Sequence, residues 1–190
     1  MRQADQWEFA VALLDSTPAP EGRESTWGSA RGFLESDGRH DAHLVASVLV
    51  VDASGMVLLA RHRRYEQWGP LGGHVDAVDA SLLEAAAREL FEETSLAARF
   101  VSRPVEVNLS TYSCRRADAP TAHLDVCFVA LTDDTAPALV ASGEICELGW
   151  FAPDALPTPL VAGVADVIAM ATAARGRHPS TDGIDSSVTS

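Results

Sequence analysis

One stretch constrains this chain more than any other: Gly72-Gly73, a short acidic loop, then a helix-patterned run closing on Arg88-Glu89-Leu90-Phe91-Glu92-Glu93. The glycine pair predicts a turn of the backbone. Ser81, with Glu84 three residues on, has the spacing of a capping box and predicts the first turn of a helix there. Leu83, Ala86, Ala87 and Leu90 supply its apolar stripe. On that helix Glu89, Glu92 and Glu93 share a face, because residues three and four apart are neighbours. Three crowded carboxylates repel one another unless a cation sits among them. A hard divalent ion such as Mg²⁺ or Mn²⁺ suits them, since it takes oxygen ligands and keeps positions open for phosphate oxygens. The alternative is an ordinary solvated helix face. Arg88, four residues after Glu84, is placed to pair with that carboxylate and stiffen the helix.

In order and spacing the stretch resembles the signature of the Nudix hydrolases: Gly, five residues, Glu, seven residues, Arg-Glu, an aliphatic, any residue, Glu-Glu, any residue, Gly, an aliphatic. Gly73 begins the match, Arg88 to Thr94 carry its helical half, and Leu96 is the closing aliphatic. Three positions depart from it. Asp79 stands for the first Glu, the segment from Asp79 to Arg88 is one residue longer, and Ser95 replaces the closing glycine. None of these removes a carboxylate of the helix, although Ser95 weakens the helix stop that glycine favours.

The resemblance implies an α/β/α sandwich with a mixed sheet, and a metal-dependent pyrophosphohydrolase. Its substrate would be a nucleoside diphosphate linked to another group, such as a nucleoside triphosphate or a nucleotide sugar. Glu92 and Glu93 are expected as ligands of Mg²⁺ or Mn²⁺, Glu89 as a ligand or the general base, and Gly73 as a backbone carbonyl open to the metal. In some members the base comes from a loop outside the motif, and Glu144, followed by Glu147, is the candidate here. Arg88 would orient a glutamate.

The densest positive cluster is Arg61-His62-Arg63-Arg64, in a chain of net charge −13. Arg61, Arg63 and Arg64 are candidates for a phosphate clamp. Trp68 and Tyr65 could stack on a base, and His74 beside the glycines could contact substrate. The competing readings are a solvated loop for the arginines and packing against the sheet for Trp68.

The net charge argues against stable nucleic-acid binding or anionic membrane surfaces; a small-molecule nucleotide or diphosphate partner is what the resemblance implies. Cys114, Cys127 and Cys146 show no metal-type spacing and read as reduced thiols of a cytoplasmic protein, buried in or near strands. No signal peptide is expected. The run at residues 160–174 carries Asp166 and is shorter than the ~20 residues a membrane span needs. A homodimer is left open.

The expected organisation is a helical N-terminal extension over residues 1–42, a Nudix-like domain over 43–175 and a disordered tail over 176–190. Trp7, Val11 and Leu14, then Trp27, Ala30, Phe33 and Leu34, recur at helical spacing on either side of Pro18 and Pro20. Residues 44–51, 57–60, 101–112, 123–131 and 146–151 read as strands, and 160–174 as a closing helix. Two other functions compete with hydrolysis. One is a catalytically silent ligand-binding module of the same fold, which the intact run of glutamates opposes. The other is an isopentenyl-diphosphate-type isomerase, which would need a cysteine context absent around Cys114 and Cys127.

Overall fold

The computed structural model describes residues 3–63, 66–141 and 145–177. Strand β1, His43–Val51, is the spine of a seven-stranded sheet. It pairs antiparallel with β2 (Val57–His62) and β4 (Leu71–His74), and parallel with β6 (Thr121–Leu131). Beyond β6 lies β5 (Arg99–Tyr112), antiparallel to it. On the other side β2 carries β3 (Trp68–Gly69) and β7 (Ile145–Phe151), both antiparallel. The sheet is therefore mixed. An Asx turn joins β1 to β2: the buried Asp52 accepts the amides of Ser54 and Met56 at 2.8 Å each.

Alternation along β1 and β6 feeds two separate cores. Val48, Val50, Leu58, Val126 and Phe128 pack on one face with α1 (Gln3–Ser16), α2 (Glu24–Glu35) and α3 (Leu82–Thr94). Leu49, Val51, Leu59, Val129 and Leu131 pack on the other against Val167, Ile168 and Ala171 of α4 (Val164–Arg177). Helices on both faces of a mixed sheet make the α/β/α sandwich that the sequence implies. A strand buried on both sides reads as a continuous apolar run, and β1 does. Helix α2 is fastened to β5 through Glu106, which takes Arg23 at 3.1 Å and the Thr26 hydroxyl at 3.1 Å.

Several local expectations need correction. Gly72 and Gly73 do not turn the chain; they lie inside β4, opposite Ser47 and Ala46. A short strand rich in glycine gives no periodicity to read. The buried stripe of α3 is Leu82, Ala85, Ala86, Leu90, Glu93 and Thr94, rotated from the predicted Leu83 and Ala87. Arg88 does not pair with Glu84, whose carboxylate accepts the Ala80 amide at 3.0 Å while its own amide donates to Ser81 Oγ at 3.1 Å. Cys114 and Cys127 are buried free thiols, whereas Cys146 is exposed. Ser95 does end α3 in the left-handed conformation, at φ 58°, so the helix stop survives without glycine. No helix among the described residues is long and apolar enough to cross a membrane. Most of the tail expected over 176–190, namely 178–190, lies outside the described residues.

Candidate active site

Helix α3 packs across β1 and β4, which brings its last turns over the glycines. The approach is close at two points. The Gly72 amide donates to Glu93 Oε2 at 2.9 Å. At Gly73 a β-carbon would stand 2.6 Å from the Glu89 carboxylate, so glycine leaves the space that Glu89 occupies. Glu93 is 7% exposed, Glu89 is half-buried, and Glu92 faces solvent.

Arg88 organises the acidic groups. Its guanidinium takes Asp79 in a two-point pair, Nε to Oδ1 and NH2 to Oδ2, both 2.9 Å. NH1 reaches Glu89 at 2.9 Å and Glu92 at 3.2 Å, and NH2 also donates to the His74 carbonyl at 3.1 Å. Asp79 is 4% exposed, and its second contact is the Asp76 amide at 2.7 Å. Burial opposes its charge, yet Arg88 and that amide hold the carboxyl below its ordinary range. The segment that is one residue longer than the signature thus delivers the shorter aspartate to Arg88 with both oxygens engaged.

The electrostatics leave a deficit of positive charge. Burial pushes the Glu93 carboxyl up to about 8, against the pull of the Gly72 amide, and Glu89 and Glu92 add repulsion. Glu89 is also raised, by burial first, with Arg88 opposing and Glu92 adding to it. A single guanidinium shared among Asp79, Glu89 and Glu92 does not neutralise this group. A divalent cation on the face of Glu89, Glu92 and Glu93 would, so the residues present fit such an ion.

The other predicted residues fall elsewhere. Arg61 pairs with Glu147 across β2 and β7 at 3.6 Å, and alternation places it on the α4 face with Val57 and Leu59. Trp68 packs edge-on to Phe151 at 5.0 Å, also beside the α4 core. Arg63 is exposed. Arg64, Tyr65 and Glu144 lie outside the described residues. Glu147 is exposed against Arg61.

His74 is the exception, because it reaches a cavity of about 330 Å³ at the end of β4. Gln6, His43, Asp76 and Arg116 line it too, and Arg116 bonds Asp76 at 2.7 Å on its rim. Sequence reasoning missed His43 and Arg116, which lie far from the motif: His43 meets it through the register of β1 with β4, and Arg116, between β5 and β6, through its bond to Asp76. His74 is driven down to about 4 by burial, with Arg116, His43 and His123 adding to the effect, so it is neutral at pH 7.

The family model of the NUDIX domain matches residues 41–171. The chain belongs to the Nudix family. It is a Nudix-type hydrolase, of a family whose members generally cleave diphosphate linkages with a divalent metal. Similar solved structures include a NUDIX-family hydrolase from Clostridium perfringens, 23% identical with a TM-score of 0.55, matched over 70% of this chain and 95% of that one. An Ap4A hydrolase of C. elegans in a binary complex is 16% identical with a TM-score of 0.53, over 70% and 96%. A MutT protein from Methanosarcina mazei Go1 is 20% identical with a TM-score of 0.52, over 70% and 94%. Identities this low bear on the Nudix fold and not on the substrate. No curated protein sequence matches the chain.

Proposed function

We propose that this Nudix hydrolase cleaves a nucleoside diphosphate linked to another group, with Mg²⁺ or Mn²⁺ held by Glu89, Glu92, Glu93 and the Gly73 carbonyl. The observation that carries the reading is the buried Glu93 carboxylate, tied to the Gly72 amide at 2.9 Å and sharing its helix face with Glu89 and Glu92. Bound there, divalent ions supply a water of lowered pKa and screen the diphosphate oxygens. Each residue has a distinct task. The Gly72 amide fixes the Glu93 rotamer, so the ligand is positioned before substrate arrives. Arg88 bridges Glu89 and Glu92 through a single nitrogen and anchors both to Asp79. Glu89, with its carboxyl held above the ordinary range, is the described group best suited to accept the proton of the attacking water. Glu144 is kept as a second candidate for that step.

The cavity at His74 has the size of a site for a base and sugar. It adjoins the carboxylates through β4, since His74 lines it while the His74 carbonyl accepts from Arg88. Arg116 on its rim is placed to meet a phosphate, a role first expected of Arg61, Arg63 and Arg64.

The test is a panel of nucleoside triphosphates and nucleotide sugars with Mg²⁺ or Mn²⁺, scored for phosphate and pyrophosphate release. Turnover should vanish in excess chelator and return with metal. Glu93→Gln should lower kcat by about 10²-fold or more while the fold persists. Full turnover in chelator, or an unimpaired Glu93→Gln enzyme, overturns the assignment. The silent-module reading predicts ligand binding without turnover across the same panel.

A further inference from the structure

Opposite the carboxylate face, four side chains from four parts of the chain converge. His43 opens β1, His74 ends β4, His123 lies near the start of β6, and Cys114 follows β5. Register explains the meeting. His43 and His123 are direct partners in the parallel ladder, and His74 pairs with Val45 in the antiparallel one. His43, Val45 and His123 therefore share a sheet face, and His74 projects from that face as well.

We propose that His43, His74, His123 and Cys114 form a tetrahedral site for Zn²⁺, separate from the glutamates of the catalytic helix. The distances have the scale of a coordination sphere. From His43 Nδ1 it is 3.2 Å to His74 Nε2, 3.3 Å to His123 Nε2 and 3.2 Å to Cys114 Sγ. All four donor atoms lie within 4.8 Å of one another. Tetrahedral zinc with Zn–N of about 2.0–2.1 Å and Zn–S of about 2.3 Å requires ligand edges of about 3.3–3.6 Å. Three of the six edges already have that length to within about 0.4 Å.

Hydrogen bonding alone does not account for the cluster. A ring nitrogen offers one in-plane position, either a proton or a lone pair. His43 Nδ1 has three heteroatoms within 3.3 Å. The three rings are also mutually steep, at 62–84°, with centroids 5.0–5.4 Å apart, an arrangement that imidazoles sharing one metal ion can adopt.

The surroundings orient the donors. His123 Nδ1 lies 2.7 Å from the Thr121 carbonyl oxygen, which can only accept. The proton is therefore on Nδ1, and the Nε2 lone pair points at the cluster. A backbone carbonyl fixing the tautomer of a ligating histidine is the usual supporting contact of a zinc site. Tyr112 stacks on the same ring at 3.7 Å and holds its plane. Three imidazoles and a thiolate select a borderline cation such as Zn²⁺, whereas Glu89, Glu92 and Glu93 select a hard one. With four protein ligands the site is closed, so its role is structural. It ties β1, β4 and β6 to the hairpin after β5, and through His43 and His74 it braces one wall of the substrate cavity.

The full chain, given equimolar Zn²⁺ and dialysed against millimolar Mg²⁺, should retain about one zinc per chain by elemental analysis. Its Co²⁺ form should show intense tetrahedral d–d bands and a thiolate-to-cobalt charge-transfer band. Cys114→Ser should abolish that charge-transfer band and weaken zinc binding by at least ~10-fold. Glu93→Gln should keep the zinc and both spectral features while losing Mg²⁺-dependent turnover, which separates this proposal from the catalytic one. Retention of less than about 0.1 zinc by the wild-type chain overturns the site. So does a cobalt spectrum without thiolate character, or unchanged zinc affinity in Cys114→Ser. Should that variant fail to fold, the wild-type cobalt spectrum alone decides.

Discussion

Gly73→Ala offers a sharp test of the carboxylate cluster, because its effect should fall on rate and not on folding. The added methyl would stand 2.6 Å from Glu89 Cδ and Oε1 and 2.7 Å from Oε2. Those atoms end a flexible side chain, so they can withdraw without moving β4. To reach ordinary contact at 3.4 Å the carboxylate must retreat by at least about 0.8 Å. Misplacing a reacting group by about 1 Å costs about 10²-fold in rate. Gly73→Ala should therefore lower kcat about 10²-fold with Mg²⁺ saturating, and shift the thermal midpoint by only a few degrees. Gly72→Ala is the contrast. Its methyl meets backbone, 2.5 Å from the Ala46 carbonyl oxygen and 2.6 Å from Ser47 Cα, at a φ of +141°. That variant should fail to fold. Phosphate release and thermal denaturation on both proteins check the pair. Wild-type turnover in Gly73→Ala would show that the Glu89 carboxylate does not sit among the reacting groups where the cluster places it.

Asp79→Asn should cost about 3 kcal/mol in urea unfolding at pH 7, since it leaves Arg88 without its buried two-point partner. Asp79 is held below its ordinary value of 3.8, so its stabilisation is present above that pH and is lost as pH falls through the folded value; the gap between variant and wild type should close in acid. Glu93 has the opposite sign. Its folded value of about 8 exceeds the ordinary 4.5, so the metal-free wild type loses stability as pH rises between them. Glu93→Gln in excess chelator should therefore gain more than about 1 kcal/mol on the wild type between pH 5 and pH 8. For the same reason Mg²⁺ binding at pH 7 should release protons, and binding heats measured in buffers of different ionisation enthalpy should reveal it. A pH-independent stability gap, or no proton release, would refute the Glu93 assignment.

The core strands were legible because they carry strong patterns, and the resemblance supplied the sandwich in which they are arranged. β1 and the second half of β6 are apolar runs, as strands buried on both faces are. β3 and β4 were not legible. They are two and four residues long, and Gly72 and Gly73 are chosen for what they admit, not for strand propensity. The α3 stripe was misread for a related reason. Glu93 and Thr94 are buried, so the inward face includes polar residues that a hydrophobic pattern assigns to solvent.

The catalytic helix was readable because its ligand candidates are local: a helix converts spacing into a shared face without help from the rest of the fold. Arg88 shows the limit of that rule. Glu84, four residues away, is the local choice, but Asp79 in the preceding loop offers two oxygens in a buried setting, and the guanidinium goes there. Glu84 is engaged at the helix cap instead, where one oxygen of its carboxylate accepts from the Ala80 amide. The histidines lie beyond that limit altogether. His74 directly follows Gly73, but His43 and His123 lie far from the motif, and only strand register places the three together. Cys114, judged from sequence alone, reads as a reduced thiol. What distinguishes it is the Nδ1 atom 3.2 Å away, a fact of the hairpin path and not of the spacing. Helix-borne sites are thus visible in sequence, while sites borne by several strands become visible only once their register is known. In this chain the two kinds meet at β4. Gly73 opens toward the carboxylates on one face, and His74, the next residue, turns toward the imidazoles on the other.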